Sequence, residues 1–179
     1  MPLTVRPASV ADIPAIAAAF EDGRRALAQM NVPQWQGEYP NELDAADDIK
    51  RGISYVACDG DGTVLGVLAY TLDGEATYDE IDGTWLTESA SSSPTYATIH
   101  RCSVAANAAR QGVMSALMHA VEDMARAAGA KSLRIDTHPN NARMHGLAIK
   151  LGFTRCGTIT LPYEDEIDPT RFVYEKVIA

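Results

Sequence analysis

Apolar positions along the chain switch between a period of two and a period near 3.6, and the switches divide it into elements. Leu3-Thr4-Val5-Arg6 alternates as a strand, and Ile13, Ile16, Ala17 and Phe20 then recur at helical spacing in a pattern that runs toward Met30. Ser9-Val10-Ala11-Asp12 has the form of a capping box with Asp in place of Glu, which predicts that the first helix opens there. Asn31-Val32-Pro33 breaks that helix, and the stretch to Pro40 is too rich in Pro and Gly for regular structure while carrying Trp35 and Tyr39. Asn41 to Arg51 predicts a short second helix. Ser54 to Asp59 and Thr63 to Leu72 predict a hairpin around Gly60-Asp61-Gly62. Asp73 to Ser93 reads as an insertion, and its low-complexity end, Ser89-Ala90-Ser91-Ser92-Ser93, predicts a mobile loop.

Beyond the insertion, Thr98 to Val104 is an extended apolar segment that leads through a loop of small residues to Gly112. Val113, Leu117, Ala120, Val121 and Met124 then share one helical face, predicting a helix to about Ala128 that is ended by Gly129. Lys131 to Thr137 predicts a strand, and Ala142 to Leu151 a helix stopped by Gly152. Two last strands, about Phe153 to Leu161 and Thr170 to Val177, flank the acidic stretch Glu164 to Pro169. No repeat or linker interrupts the series, so residues 1–179 are expected to form one domain. The stretch from Thr98 to Met118 is the chemically telling one. A strand, a short loop and a helix start place unpaired amide N–H groups and the positive end of a helix dipole where a phosphate or pyrophosphate would sit.

From Thr98 onward the sequence resembles the GNAT superfamily of N-acetyltransferases, whose signature is a strand, then Arg/Gln-x-x-Gly-x-Gly/Ala, then a helix. The matching hexapeptide is Ala109-Arg110-Gln111-Gly112-Val113-Met114, in which Gly112 fits while Ala109 replaces the first Arg/Gln and Met114 the last Gly/Ala. Val104 lies where the family's strand-ending Val lies, and Asn141 through Leu151-Gly152-Phe153 resembles its Asn-containing helix and Leu-Gly-Phe strand entry. The resemblance covers roughly Val56 to Tyr174, with the opening strand and helix also similar. It implies an α+β fold: a mixed, mostly antiparallel twisted sheet with helices on both faces.

The resemblance also implies acetyl-CoA as cofactor. Cys102 and Val104 would offer main-chain groups to its pantetheine arm, and the backbone of Ala109, Arg110, Gln111, Gly112, Val113 and Met114, with Ser115, would hold the pyrophosphate. Asn141 matches the family's helix-opening Asn that contacts the cofactor arm. An amine is mostly protonated at neutral pH and must lose a proton before it attacks a thioester. Many members carry a Glu four residues before the strand-ending Val; here that position is His100, and an imidazole suits the task near neutral pH. The Tyr that often protonates the departing thiolate is replaced by Ala148. His138 is the nearest substitute by sequence, with Tyr174 and Tyr163 behind it, and His138 equally suits capping of the following helix.

Trp35, Tyr39, Tyr78 and Trp85 are candidate lining for an acceptor pocket, because aromatics in irregular segments offer a flat face and a polar edge. Asp82 or Glu80 would pair with an ammonium group. A net charge of −9 argues against general nucleic-acid binding. Three cysteines without Cys-x-x-Cys spacing, and four histidines without His-x-x-x-His spacing, predict neither a disulfide framework nor a metal site. With no leader-like or membrane-spanning run, a cytoplasmic protein with no membrane partner is expected. Exposed edge strands expected at the C-terminus suggest a homodimer. The function expected is direct acetyl transfer to a primary amine of a small molecule, amino acid derivative or peptide N-terminus. One rival is a non-catalytic acyl-CoA-binding or sensor protein on the same fold. The other, a mononucleotide-binding α/β domain, lacks both the Gly-x-x-x-x-Gly-Lys-Ser/Thr and Gly-x-Gly-x-x-Gly patterns.

Overall fold

The computed structural model describes residues 3–162 and 167–179, so Tyr163 and the Glu164-Asp165-Glu166 part of the acidic stretch lie outside the described residues. The strands are β1 (Thr4–Pro7), β2 (Ser54–Cys58), β3 (Val64–Thr71), β4 (Asp82–Gly83), β5 (Tyr96–Val104), β6 (Ser132–Thr137), β7 (Thr154–Thr160) and β8 (Thr170–Val177). The helices are α1 (Ile13–Gln29), α2 (Glu42–Lys50), α3 (Val113–Ala127) and α4 (Ala142–Lys150). The strands follow the order β1-β2-β3-β5-β6-β8-β7-β4. The described registers are antiparallel except that of β5 with β6. Chain contacts divide the molecule into two compact units, one holding the chain up to Gln29, Trp35–Tyr70 and His100–Val121, the other Met30–Gln34, Thr71–Ile99 and Glu122–Ala179.

In the first unit the predicted capping box forms on a single 3-10 turn, Val10–Asp12, from which α1 continues. The Ser9 amide and hydroxyl both donate to Asp12 Oδ2, at 2.7 and 2.9 Å, and Arg6 grips the same carboxylate with two bonds of 2.8 Å. Those bonds hold the Asp12 carboxyl well below the usual range. The helical face of α1 then buries Ile16, Ala19 and Phe20 with Ala45 of α2 and Val56, Cys58 and Val67 of the sheet. On the other face of β3, a Cβ on Gly66 would stand 2.7 Å from Val113 Cγ1. Helices therefore cover both faces here. The Asn41 side chain caps α2, accepting from the Leu43 amide at 2.8 Å, while Asp44 accepts from the Asn41 amide at 2.8 Å.

The second unit packs Tyr78, Tyr96, Ile159 and Val173 into a core bordered by Ile81, Trp85, Cys156 and Leu161. The insertion supplies much of it. Its strand β4 pairs with β7 through Asp82↔Thr158 and Gly83↔Gly157. The serine run, predicted mobile, is tied down in the structure. Ser91 donates its amide and hydroxyl to Asp79 at 2.9 and 2.5 Å, and Ser89 Oγ accepts from the Thr95 amide at 2.8 Å. Short hydroxyl side chains satisfy nearby backbone groups, which composition alone does not reveal. The C-terminal strand also differs from expectation, since β8 lies between β6 and β7 and is no edge.

Candidate active site

The parallel register of β5 with β6 spans Tyr96↔Ser132 to Thr98↔Arg134 and stops there. Past that point β5 changes character, because Arg101 adopts a left-handed backbone (φ 51°). The chain leaves the strand where the Ala105 amide donates to the Leu65 carbonyl at 2.9 Å. A 3-10 turn, Ala106–Ala108, follows, and its first amide donates to Asp22 Oδ2 at 2.8 Å. Arg110 (φ 63°) and Gly112 (φ 81°) are then both left-handed. A Cβ on Gly112 would touch nothing within 4 Å, so its backbone angle alone demands glycine.

α3 begins at Val113, directly after a residue that has no side chain with which to cap it. The amides of Val113, Met114 and Ser115 therefore lack partners a turn earlier in the helix, and the dipole adds partial positive charge there. Buried Val113 seats this helix start against β3, and Gly66 leaves room for it. Arg110 and Gln111 are exposed, and Met114 and Ser115 are half-buried. Left-handed residues beside a helix start are a geometry that could hold an anion. Main-chain amides dominate it, so Ala109 in place of Arg or Gln removes little.

Other sequence-predicted residues are already engaged. Asn141 caps α4, accepting from the Met144 amide at 3.2 Å and donating to Thr137 Oγ1 at 2.9 Å. His138 is 1% exposed, and both ring nitrogens have partners. Nδ1 accepts from the Asn140 amide at 3.1 Å, which makes Nε2 the protonated nitrogen, 3.1 Å from Asp168. Hydrogen bonds to Thr170, and then His138, hold the Asp168 carboxyl below its usual range. His138 thus closes the turn before α4, while the cap of that helix is Asn141. His145, one turn before Ala148, is engaged likewise, with Nε2 donating to the Pro139 carbonyl at 2.8 Å and Nδ1 accepting from the Tyr174 hydroxyl at 2.7 Å. His100, Cys102 and Val104 are half-buried along β5.

The four aromatics divide between the two units. Trp35 packs edge-on to Phe20 with ring centroids 6.4 Å apart, and Tyr39 keeps 43% of its surface exposed. Beside them a 390 Å³ surface cavity is lined by Glu21, Glu38 and Glu42 together with Arg24, which pairs with Glu21, a feature with no signal in the sequence. Tyr78 and Trp85 instead belong to packing, which corrects their reading as pocket lining. Tyr78 is 1% exposed and donates to Asp136 at 2.8 Å; burial, then Asp136, pushes its phenol well up. The Trp85 indole donates to the Tyr78 carbonyl at 2.9 Å, and its ring lies 4.1 Å from the Arg134 guanidinium, which also stands 4.0 Å over Tyr96. Asp82 is exposed on β4.

Sequence reasoning missed the groups that organise these surroundings. Fully buried Glu175 accepts from five donors: the Leu86 and Thr87 amides, the Thr87 and Ser132 hydroxyls, and Arg134 Nε, at 2.5 to 3.1 Å. Burial alone would raise its carboxyl, but the Ser132 and Thr87 hydroxyls and the Arg134 charge outweigh it and leave it lowered. In the first unit, Asp48 lies three residues after buried Ala45 and takes a bidentate grip from Arg101. An acid on the apolar side of a short helix was the available signal.

Residues 21–153 match the acetyltransferase (GNAT) family, and the chain belongs to it. A GNAT-family acetyltransferase from Streptococcus agalactiae 2603 is 28% identical, covering 98% of this chain and 95% of its own, with a TM-score of 0.81. The ribosomal-protein-alanine N-acetyltransferase of Brucella melitensis is 19% identical with a TM-score of 0.69, covering 97% of this chain and 99% of its own. The ribosomal-protein-S18-alanine N-acetyltransferase of Escherichia coli is 16% identical with a TM-score of 0.66, covering 99% and 95%. A comparison with curated proteins gives no match. The chain is an N-acetyltransferase of a family that generally uses acetyl-CoA.

Proposed function

We propose that this chain binds acetyl-CoA at the head of α3 and passes the acetyl group directly to a primary amine, with His100 as the base. The observation that carries the cofactor half is the start of α3 at Val113, directly behind left-handed Arg110 and Gly112. The residues present fit a pyrophosphate: the Gly112 to Ser115 amides donate, and the exposed Arg110 guanidinium adds charge. Acetyl-CoA supplies an activated thioester when bound. Cys102 and Val104 would align its arm through main-chain groups, leaving His100, two residues before Cys102, to take a proton from the incoming ammonium. Because a thiol of ordinary pKa near ~8.5 departs readily as thiolate, the absence of a tyrosine at Ala148 is tolerable.

The acceptor is a small amine, an amino acid derivative or a peptide N-terminus. The names of the Brucella and Escherichia proteins place an alanine-initiated ribosomal peptide in the first panel, beside a free amino acid and spermidine. In calorimetry, native protein is expected to bind acetyl-CoA but neither ATP nor NAD; a protein indifferent to acetyl-CoA overturns the reading. His100→Ala should keep that binding while turnover falls by roughly 10²-fold. Cys102→Ala should stay active, since no acyl-enzyme is needed. The engaged ring nitrogens of His138 and His145 favour one second reading, a binder without catalysis. Acetyl-CoA binding with no turnover across the panel would select it.

A further inference from the structure

Arg101 is, among the described residues, the only non-glycine strand residue with a left-handed backbone. That conformation is strained for an L-residue, so it persists where the surroundings fix it. Here the side chain does so. Nε and Nη2 each donate to one oxygen of Asp48 on α2 at 2.6 Å, and Nη1 donates to the Tyr39 hydroxyl at 2.9 Å. The guanidinium and the carboxylate are 15% and 6% exposed, so water competes little for the pair.

The same strand is registered against α1. Ser103 Oγ donates to the Ala19 carbonyl at 2.5 Å, and a Cβ on Gly23 would stand 2.5 Å from that oxygen. Arg24 of α1 in turn donates to the Trp35 carbonyl at 2.8 Å and the Pro40 carbonyl at 2.9 Å. Residues 35–40 are thus held at both backbone ends by one arginine and at the Tyr39 side chain by another. The aromatic segment, whose Gly37, Glu38 and Pro40 line the surface cavity, is held in place, and the clamp on it springs from the residue between His100 and Cys102.

We infer that Arg101 is a positioning residue for the acceptor: through Asp48 and Tyr39 it fixes residues 35–41 as the acceptor wall in register with the strand that carries His100. This rests on the transferase reading above. A lysine keeps the charge but not the two-pronged grip. Arg101→Lys and Asp48→Asn are therefore expected to speed amide hydrogen exchange within 35–41 by about tenfold and to raise acceptor KM by about tenfold, while kcat changes less than about threefold. Acetyl-CoA affinity by calorimetry should stay within about twofold. Tyr39→Phe removes one hydrogen bond and keeps the ring, so it should move the same quantities in the same direction but less, and it serves if the buried-pair variants fail to fold.

Unchanged exchange at 35–41, a fall in kcat at constant KM, or a parallel loss of acetyl-CoA affinity would each overturn the assignment. If native protein acetylates none of the peptide, amino acid and spermidine probes, it is the acceptor reading that fails. The clamp is then judged on exchange and calorimetry: faster exchange at 35–41 with acetyl-CoA binding intact upholds it, and unchanged exchange ends it.

Discussion

The loop from Ala105 to Gly112 and the insertion from Asp73 to Thr95 are both irregular, yet they differ in how far side chains meet their backbone. In the insertion, side chains meet the backbone: Asp79 and Ser89 hold the serine run, Glu75 accepts from the Thr77 amide at 3.2 Å, and Glu175 gathers the amides of Leu86 and Thr87. In the loop, side chains meet only part of the backbone, with Asp22 accepting from the Ala106 amide and Gln111 donating to the Asn107 carbonyl, both at 2.8 Å, while Gly112 offers no side chain to the helix start behind it. A segment that answers its own donors builds a core; one that leaves amides at a helix start is a place for a ligand's oxygens. The aromatics obey the same division. Tyr78 and Trp85, in the self-satisfied region, are packing, while Tyr39 stays open on the other unit.

The strongest way to break the contrast is to remove the centre of the self-satisfied region. Glu175→Gln leaves a single acceptor oxygen and turns an NH₂ toward groups that themselves donate, so urea unfolding should show a loss of about 3–5 kcal/mol with Arg134 left buried and unpaired. Because the folded carboxyl titrates below its unfolded value, its contribution is present above about pH 4.3 and fades as pH falls through the lower folded value. The variant should therefore lose part of that acid limb. A native-like melt and acid limb would mean that the network is ornamental.

Gly112→Ala should act on the other region. With no atom near the new methyl group, the penalty is the left-handed backbone, about 1–2 kcal/mol, and acetyl-CoA binding should weaken about tenfold by calorimetry, or about 1.4 kcal/mol. Full affinity would separate the cradle from the cofactor. The smallest effect is expected at the serine run, where Asp79→Ala should cost about 0.5–1.5 kcal/mol and raise exchange at Ser91 without touching acetyl-CoA affinity. A loss of affinity there would blur the two regions into one.

Periodicity located the helices and strands to within a few residues, because alternate and every-fourth positions report which face is buried wherever a face is clean. It missed β4, whose two residues are too short to carry a pattern, and it placed β8 at an edge because strand order depends on pairings far apart in sequence. At the site, Gly112 and the helix behind it were legible, since a left-handed backbone selects glycine and a helix start is a local event. The engagement of His138 by Asn140 and Asp168 was not, nor was Arg101 reaching Asp48, 53 positions earlier in the chain.

Local rules therefore determined the elements, the left-handed turn at Gly112 and the family. Tertiary structure decided which aromatics became core, which partners His138 and His145 engage, and how residues 35–41 are held. The physical reason is range: backbone preference and amphipathic spacing act within a turn or a strand, whereas burial and the pairing of charges depend on which segments the folded chain brings together.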